Sequence, residues 1–179
     1  MKYYRLLPNL EYKGCYVENE NTLNLIKSYY DGTILNRVAP IEVSFNSDNR
    51  NKYLVQKNIL SFWGSGGEFV IDEYTKNKLE SHYNDFFSFI NVISIDDDIY
   101  KNKNLYLLYI KKTIDGLDRE KSKIKFLNDD YFVLYNHARL TSIFKFKNLK
   151  NSTFCDERFK EFVEEQNIEG WIFREAFEK

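Results

Sequence analysis

Two segments of the chain carry apolar residues at the spacing of an amphipathic helix, and each begins directly after an aspartate. The apolar positions are Leu79, Tyr83 and Phe86 in the first segment and Phe159, Phe162 and Val163 in the second. An aspartate before a helix stabilises it, because its carboxylate accepts hydrogen bonds from backbone amides that lack partners. We therefore predict helices over residues 73–83 and 157–166, with Asp72 and Asp156 as their N-caps.

The two segments also align with each other without a gap. "VIDEYTKNKLESHYNDFFSF" from Val70 matches "FCDERFKEFVEEQNIEGWIF" from Phe154 at a constant offset of 84 residues, and the acidic, lysine and aromatic positions coincide. Each copy ends in an aromatic stretch typical of a strand. The alignment predicts an internal repeat in which a strand, a capped helix and a returning strand follow one another.

Between the two copies the apolar pattern changes to one that favours strands. The segments concerned are "LYLLYIKKTID" from Leu105, "DDYFVLYNHARL" from Asp129 and "SIFKFKNL" from Ser142. The last alternates apolar and basic residues, as a half-exposed antiparallel strand does. In the N-terminal third, "TLNLIKSYYD" indicates a short helix, and "APIEVSF" and "KYLVQK" indicate strands. We predict an α+β fold over residues 1–179, a single domain whose mainly antiparallel sheet is flanked by two repeat-related capped helices.

Length, charge and cysteine content narrow the class of protein. A chain of 179 residues suits one domain, and a net charge of −1 gives no overall field that attracts nucleic acid or an anionic membrane. Two cysteines, Cys15 and Cys155, are too few for a disulfide framework. The N-terminus has no uninterrupted apolar region, and "FFSFINVISI" is too short to cross a bilayer. We expect a cytoplasmic protein without a membrane partner.

Candidate metal, cofactor and nucleic-acid sites are weak. His82 and His137 lie far apart in the sequence, and we expect Cys155 to be a buried structural thiol. "GSGG" at residues 64–67 lacks the lysine and hydroxyl of a phosphate loop, and the acidic runs at residues 95–98 and 128–130 lack EF-hand spacing. Alternating aromatic and basic residues are typical of single-strand nucleic-acid binders, but the net charge argues against that function. We predict no metal, no cofactor and no nucleic-acid partner.

One segment, "TIDGLDREKSK" at residues 113–123, concentrates charged and hydroxyl side chains between two strand-like stretches. Asp115 and Gly116 suit a bend, and either Asp115 or Asp118 is placed to bind the backbone of the turn. An enzyme would require Asp115, Asp118 and Lys121 to act as acid–base groups, and the sequence shows no poised partner for them. We therefore predict a structural or partner-facing turn and no catalytic residue.

The order of these features resembles the Imm11 immunity-protein family of bacterial polymorphic toxin systems. That family shows a "Ser-Glu-x-Phe" helix start, a central "D-x-x-K-S"-like segment after a strand, and a second helix start that ends in a "G-x-x-F"-like strand. The matching pieces here are "IDEYTKNKLE", "LDREKS", "CDERFKEFVE" and "EGWIF". They lie within about residues 60–175, whereas residues 1–60 match loosely. Asp72 and Asp156 stand where the family favours serine, a difference that preserves helix capping.

The resemblance implies a protein that binds a cognate toxin domain and neutralises it without catalysis, in competition between bacteria. It also implies that a family-signature loop, structural or partner-facing, comprises Asp115, Gly116, Asp118, Arg119, Lys121 and Ser122. Two alternatives remain open: a small-molecule enzyme using Asp115, Asp118 and Lys121, or a nucleic-acid-binding module. The sequence indicates neither the toxin's activity nor the oligomeric state.

Overall fold

A computed structural model describes residues 1–9, 14–17, 19–30, 40–45, 59–63, 68–95, 100, 102–123 and 132–179. In these parts the protein is a mixed α/β structure made mostly of strands. The strands are β1 (Lys2–Pro8), β2 (Gly14–Tyr16), β3 (Ile41–Phe45), β4 (Ile59–Trp63), β5 (Phe69–Asp72), β6 (Phe87–Ser94), β7 (Leu105–Ile110), β8 (Thr113–Ile114), β9 (Ile143–Phe146), β10 (Leu149–Asp156) and β11 (Trp171–Glu178). The helices are α1 (Glu20–Tyr30), α2 (Glu73–Tyr83) and α3 (Glu157–Glu165).

Four predicted features lie outside the described residues. They are the "KYLVQK" strand, the "GSGG" turn at residues 64–67 and the acidic runs at residues 96–98 and 128–130.

The strands form two sheets where the sequence predicted one. The first sheet has five strands in the order β11–β1–β10–β9–β8, and the second closes into a barrel in the order β2–β3–β6–β7–β5–β4. Both are mixed, because β2–β4, β3–β6 and β8–β9 are parallel pairs among antiparallel ones. The prediction of a single sheet was wrong, whereas most of the described strand pairs are antiparallel, as predicted. Apolar patterns identify a strand, but its direction relative to its partner depends on how distant parts of the chain return.

The two segments that align in sequence have corresponding positions in the two sheets. In the barrel, β5 and β6 are joined by α2 and both pair antiparallel with β7. In the five-stranded sheet, β10 and β11 are joined by α3 and both pair antiparallel with β1. Helix and strand starts lie at the same offset of 84 residues: Glu73 and Glu157 for the helices, Phe87 and Trp171 for the strands. We call β5–α2–β6 the first unit and β10–α3–β11 the second unit.

A shared core joins the two sheets with α2 and α3. Successive residues of a strand point to opposite faces, so Tyr4, Ile143 and Cys155 face this core while neighbouring residues face away. Its other buried members include Phe69, Ile71, Leu79, Phe87, Leu108, Phe159, Val163 and Trp171. Both cysteines are buried, as predicted for Cys155, and burial raises the pKa of the Cys15 and Cys155 thiols. The barrel interior and the far side of the five-stranded sheet form two further clusters.

An aspartate in extended conformation precedes both α2 and α3. The Asp72 carboxylate accepts a hydrogen bond from the Thr75 amide, and the Asp156 carboxylate accepts one from the Phe159 amide, each at 2.9 Å. Asp156 is buried, and its second oxygen lies 3.1 Å from the exposed Arg158 guanidinium. Each aspartate therefore satisfies a backbone amide that the helix leaves without an internal partner.

Replacing Asp156 with alanine should lower the free energy of unfolding by about 0.5–2 kcal/mol, the usual cost of losing an N-cap. Asp156→Ser should be nearly neutral, because serine also accepts the bond from the Phe159 amide. Urea unfolding of the two variants measures the difference. An equally large loss in Asp156→Ser would show that the contact with Arg158 matters more than the cap.

Two predicted strands differ from their expected form. The β9 strand was expected to be half exposed, but all four of its residues are buried, because the five-stranded sheet packs on both faces here. The strand predicted from Asp129 was wrong over the described residues 132–140, where Leu134 forms only an isolated bridge with Leu117. That segment pairs with the loop at residues 115–123 and turns away before a ladder can form.

Candidate functional site

The family-signature loop begins at the short edge strand β8 and continues over residues 115–123. The parallel pairing with β9 places it, because the Lys145 amide donates to the Lys112 carbonyl and the Lys147 amide donates to the Ile114 carbonyl, each at 2.9 Å. The loop is thus attached to the rim of the five-stranded sheet.

Asp118 organises the loop from within. Its carboxylate accepts a hydrogen bond from the Lys121 amide at 3.2 Å and lies 3.3 Å from the Lys121 ammonium group. Burial acts to raise the pKa of Asp118, but the amide and ammonium groups of Lys121 outweigh it, so the pKa lies below the usual value. The side chain is therefore held as a carboxylate that closes the turn.

Ser122 connects the loop to the segment that follows Phe132. Its hydroxyl donates to the Asp118 carbonyl at 2.6 Å and accepts from the Val133 amide at 2.9 Å. The Asp118 amide in turn donates to the Val133 carbonyl at 2.9 Å. Asp118 and Ser122, four positions apart, thus connect two segments that are distant in sequence.

Gly116 marks a close approach between the same two segments. The Tyr135 amide donates to the Gly116 carbonyl at 2.9 Å. A Cβ atom added at Gly116 would lie 2.7 Å from the Cβ of Ala138, closer than carbon atoms normally come. Space rather than backbone conformation therefore requires glycine at this position.

Gly116→Ala should lower the free energy of unfolding by about 1–3 kcal/mol, the usual cost of overpacking a tight site. Adding Ala138→Gly should restore most of that loss, because it removes the carbon atom that the new methyl group would meet. Thermal unfolding of both single variants and the double variant measures the coupling. Additive losses would show that the two residues do not limit each other.

Arg119 and Asn148 join the loop to the turn between β9 and β10. The Arg119 guanidinium donates to the Asn148 carbonyl, and the Asn148 side-chain amide donates to the Leu117 carbonyl at 2.9 Å. Leu117 is fully buried between these contacts. The loop, the turn after β9 and the segment near Tyr135 therefore form one continuous surface.

This surface displays residues that the sequence pattern did not single out. Tyr135 and His137 are exposed, and their rings stack at a centroid distance of 5.4 Å and an angle of 8°. The turn that carries them is closed by the Ala138 amide donating to the Tyr135 carbonyl, and Lys179 donates to the Ala138 carbonyl. Arg139 follows and is exposed. The interruption of an apolar run by "NHAR" was the available signal for a turn at this place.

The three groups of the enzyme alternative lie away from the cleft that the described residues form. Asp115 and Lys121 are exposed, and Asp118 is occupied within its own turn. A cleft of about 370 Å³ lies elsewhere, beside the end of β6 and the start of β7. Its described lining consists of Pro40, Asn91, Val92, Ile93, Ser94, Asn102, Lys103, Asn104, Leu105 and Tyr106. Asp115, Asp118 and Lys121 do not belong to it, so this cleft gives the enzyme alternative no support.

The described part of the chain contains neither a metal-ligand cluster nor a membrane-spanning helix. No group of three His, Cys, Asp or Glu side chains there is arranged to hold a metal ion. None of the helices found in it is long and apolar enough to cross a membrane.

The fold and the signature loop together define a mixed α/β protein in which a charged loop is held by its own hydrogen bonds and lies beside exposed aromatic and basic residues. A sequence profile of the Imm11 immunity protein family matches residues 40–178. The chain therefore belongs to the Imm11 immunity protein family, as its motifs predicted, and membership points to a non-enzymatic role. The match also includes residues 40–59, which precede the motifs quoted above. Among curated proteins, none matches this sequence.

Proposed function

We propose that this protein is an immunity protein that binds the toxin domain of a bacterial polymorphic toxin and neutralises it. Neutralisation proceeds by formation of a protein–protein complex in the cytoplasm of the cell that makes the toxin, without catalysis by the immunity protein. The observation that carries the proposal is membership of the Imm11 family over most of the chain.

The hydrogen bonds of the signature loop support a binding role over a catalytic one. A catalytic acid or base must reach a substrate, whereas Asp118 and Ser122 have their oxygens engaged with Lys121 and Val133. Such an arrangement supports a surface of fixed shape, which suits a partner that binds without large rearrangement.

Co-expression tests the proposal. The proposal predicts a large secreted protein encoded directly upstream of this gene, and the C-terminal domain of that protein is the partner to use. We expect this chain to restore growth of cells that express that domain and to co-purify with it as a stoichiometric complex. An unrelated immunity protein serves as the control and should do neither. The proposal is wrong if this chain neither rescues the cells nor binds the domain.

We also propose that the two units arose as an internal repeat. Lys76 pairs with Glu80 and lies over the Tyr106 ring of β7, while Lys160 pairs with Glu164 and lies over the Tyr4 ring of β1. Both tyrosines stand opposite the residue that precedes the N-cap. Distant family members should keep the 84-residue offset between the two helix starts; variable offsets would count against a repeat.

A further inference from the structure

The near-zero net charge conceals an uneven distribution across the five-stranded sheet. On the face that α3 covers, Glu161, Glu164, Glu165 and Glu169 are exposed, with Arg158 as the exposed basic residue of that helix. The signature loop lies on the other face, because Leu117 packs with Phe144 and Phe154 while α3 packs with Cys155. The two faces therefore present different charges to a partner.

On the face that carries the signature loop we define a basic surface. Its exposed residues are Arg119, Lys121, Lys123, Tyr135, Arg139 and Lys147. Five of these are basic; the exposed acidic residues of the same segments are Asp115 and Glu120, and the Lys121 ammonium group already lies 3.3 Å from the Asp118 carboxylate. The contacts from Arg119 to Asn148 and from Tyr135 to Gly116 bring the three segments together. The region is therefore one surface with an excess of positive charge.

Tyr135 gives this surface an anchor of defined shape. The side chain is 39% exposed, and the His137 ring stacked against it restricts its motion. Tyrosine and arginine are enriched among the residues that dominate binding energy, and tyrosine covers a large area while losing little conformational freedom. A rigid aromatic pair beside Arg139 is well suited to bind a protein partner.

We propose that the basic surface is the docking site for an acidic segment of the toxin domain. The inference rests on the proposed function and adds the place of contact and the chemistry of the partner. Opposite charges steer the two proteins together, and Tyr135 packs against the toxin once the surfaces meet. A nucleic acid is a different class of anion that also binds aromatic and basic surfaces, and the family membership favours the protein.

The test compares charge reversals on the two faces. Arg139→Glu combined with Lys147→Glu changes the basic surface, and Glu161→Lys combined with Glu165→Lys is the matched control on α3. Tyr135→Ala tests the anchor. Affinity for the toxin domain, measured by calorimetry at low and at physiological salt, should fall at least about tenfold in the first pair and in Tyr135→Ala. The α3 pair should bind as tightly as the wild type or more tightly.

Three outcomes separate this inference from the proposed function. If the wild type binds the toxin and the basic-surface variants bind equally well while still folded by circular dichroism, the docking site is elsewhere and the proposed function stands. If the wild type does not bind the toxin, the proposed function fails and the docking site with it. If a fluorescent single-stranded oligonucleotide binds instead, and binding is lost in Arg139→Glu with Lys147→Glu, the basic surface is a nucleic-acid site and the inference is wrong.

Discussion

Replacing Lys145 with alanine should lower the free energy of unfolding by about 3–5 kcal/mol, the largest effect we expect from a single charged residue. The Lys145 ammonium group lies 3.2 Å from the Glu68 carboxylate, and both side chains are less than a tenth exposed. Removing the lysine takes away a positive charge that lies 3.2 Å from a buried carboxylate. Urea unfolding followed by circular dichroism measures the loss.

The double variant Glu68→Met with Lys145→Met separates pairing from burial. Replacement of both charges by apolar groups of similar size is often close to neutral, because the cost of removing both from water disappears with them. We expect the double variant to unfold at a higher urea concentration than Lys145→Ala. If it is equally unstable, the site depends on the particular shape of the two side chains and not on charge balance.

Replacing Phe159 with alanine should lower the free energy of unfolding by about 3–5 kcal/mol, the usual range for a buried phenylalanine. Phe159 is fully buried on α3. The centroid of its ring lies 5.0 Å from that of Tyr83 of α2 and 5.7 Å from that of Trp171 of β11. The cavity would open in the core that joins α2 and α3 to both sheets. Thermal and urea unfolding measure the change.

A substitution on the same helix controls for effects on helix propensity. Glu161 is exposed two residues further along, and Glu161→Ala should change the free energy of unfolding by no more than about 0.5 kcal/mol. A small loss for Phe159→Ala, similar to the control, would mean that the shared core tolerates collapse around this ring and is not tightly packed.

The buried ion pair between Lys145 and Glu68 lies close to the strand that begins the signature loop, and the loop is part of the basic surface. Lys145 lies in β9, which pairs with the edge strand that begins the signature loop, and Glu68 directly precedes β5 of the barrel. The pair thus connects the two sheets close to the loop. A variant that disturbs it should be examined for folding before any loss of toxin binding is assigned to the surface.

Local signals in the sequence were sufficient for the elements that are specified locally. Asp72 and Asp156 are followed by apolar residues at helical spacing, and the structure has helices from Glu73 and from Glu157. The aromatic segments after them form β6 and β11. Capping and helical periodicity involve residues within a few positions of each other, which explains why these elements were predictable.

The sequence predicted that the signature loop is a turn, but it did not predict the long-range contacts that hold the loop. Its composition indicated a bend at Asp115 and Gly116 and a charged, solvated connection. The composition did not indicate which residue each of them contacts. These contacts are Val133 for Ser122, Asn148 for Arg119 and Ala138 for Gly116. These contacts join residues that are 11 or more positions apart, and no local pattern encodes them.

Sheet pairing and burial were decided by the tertiary structure alone. "SIFKFKNL" reads as a half-exposed strand, yet Lys145 is buried because Glu68, distant in sequence, supplies the opposite charge. The division of the strands into a closed barrel and a five-stranded sheet depends equally on which edges meet when the chain folds. Hydrophobic patterning reports whether a side chain avoids water, whereas the identity of the group that it contacts is settled by long-range packing.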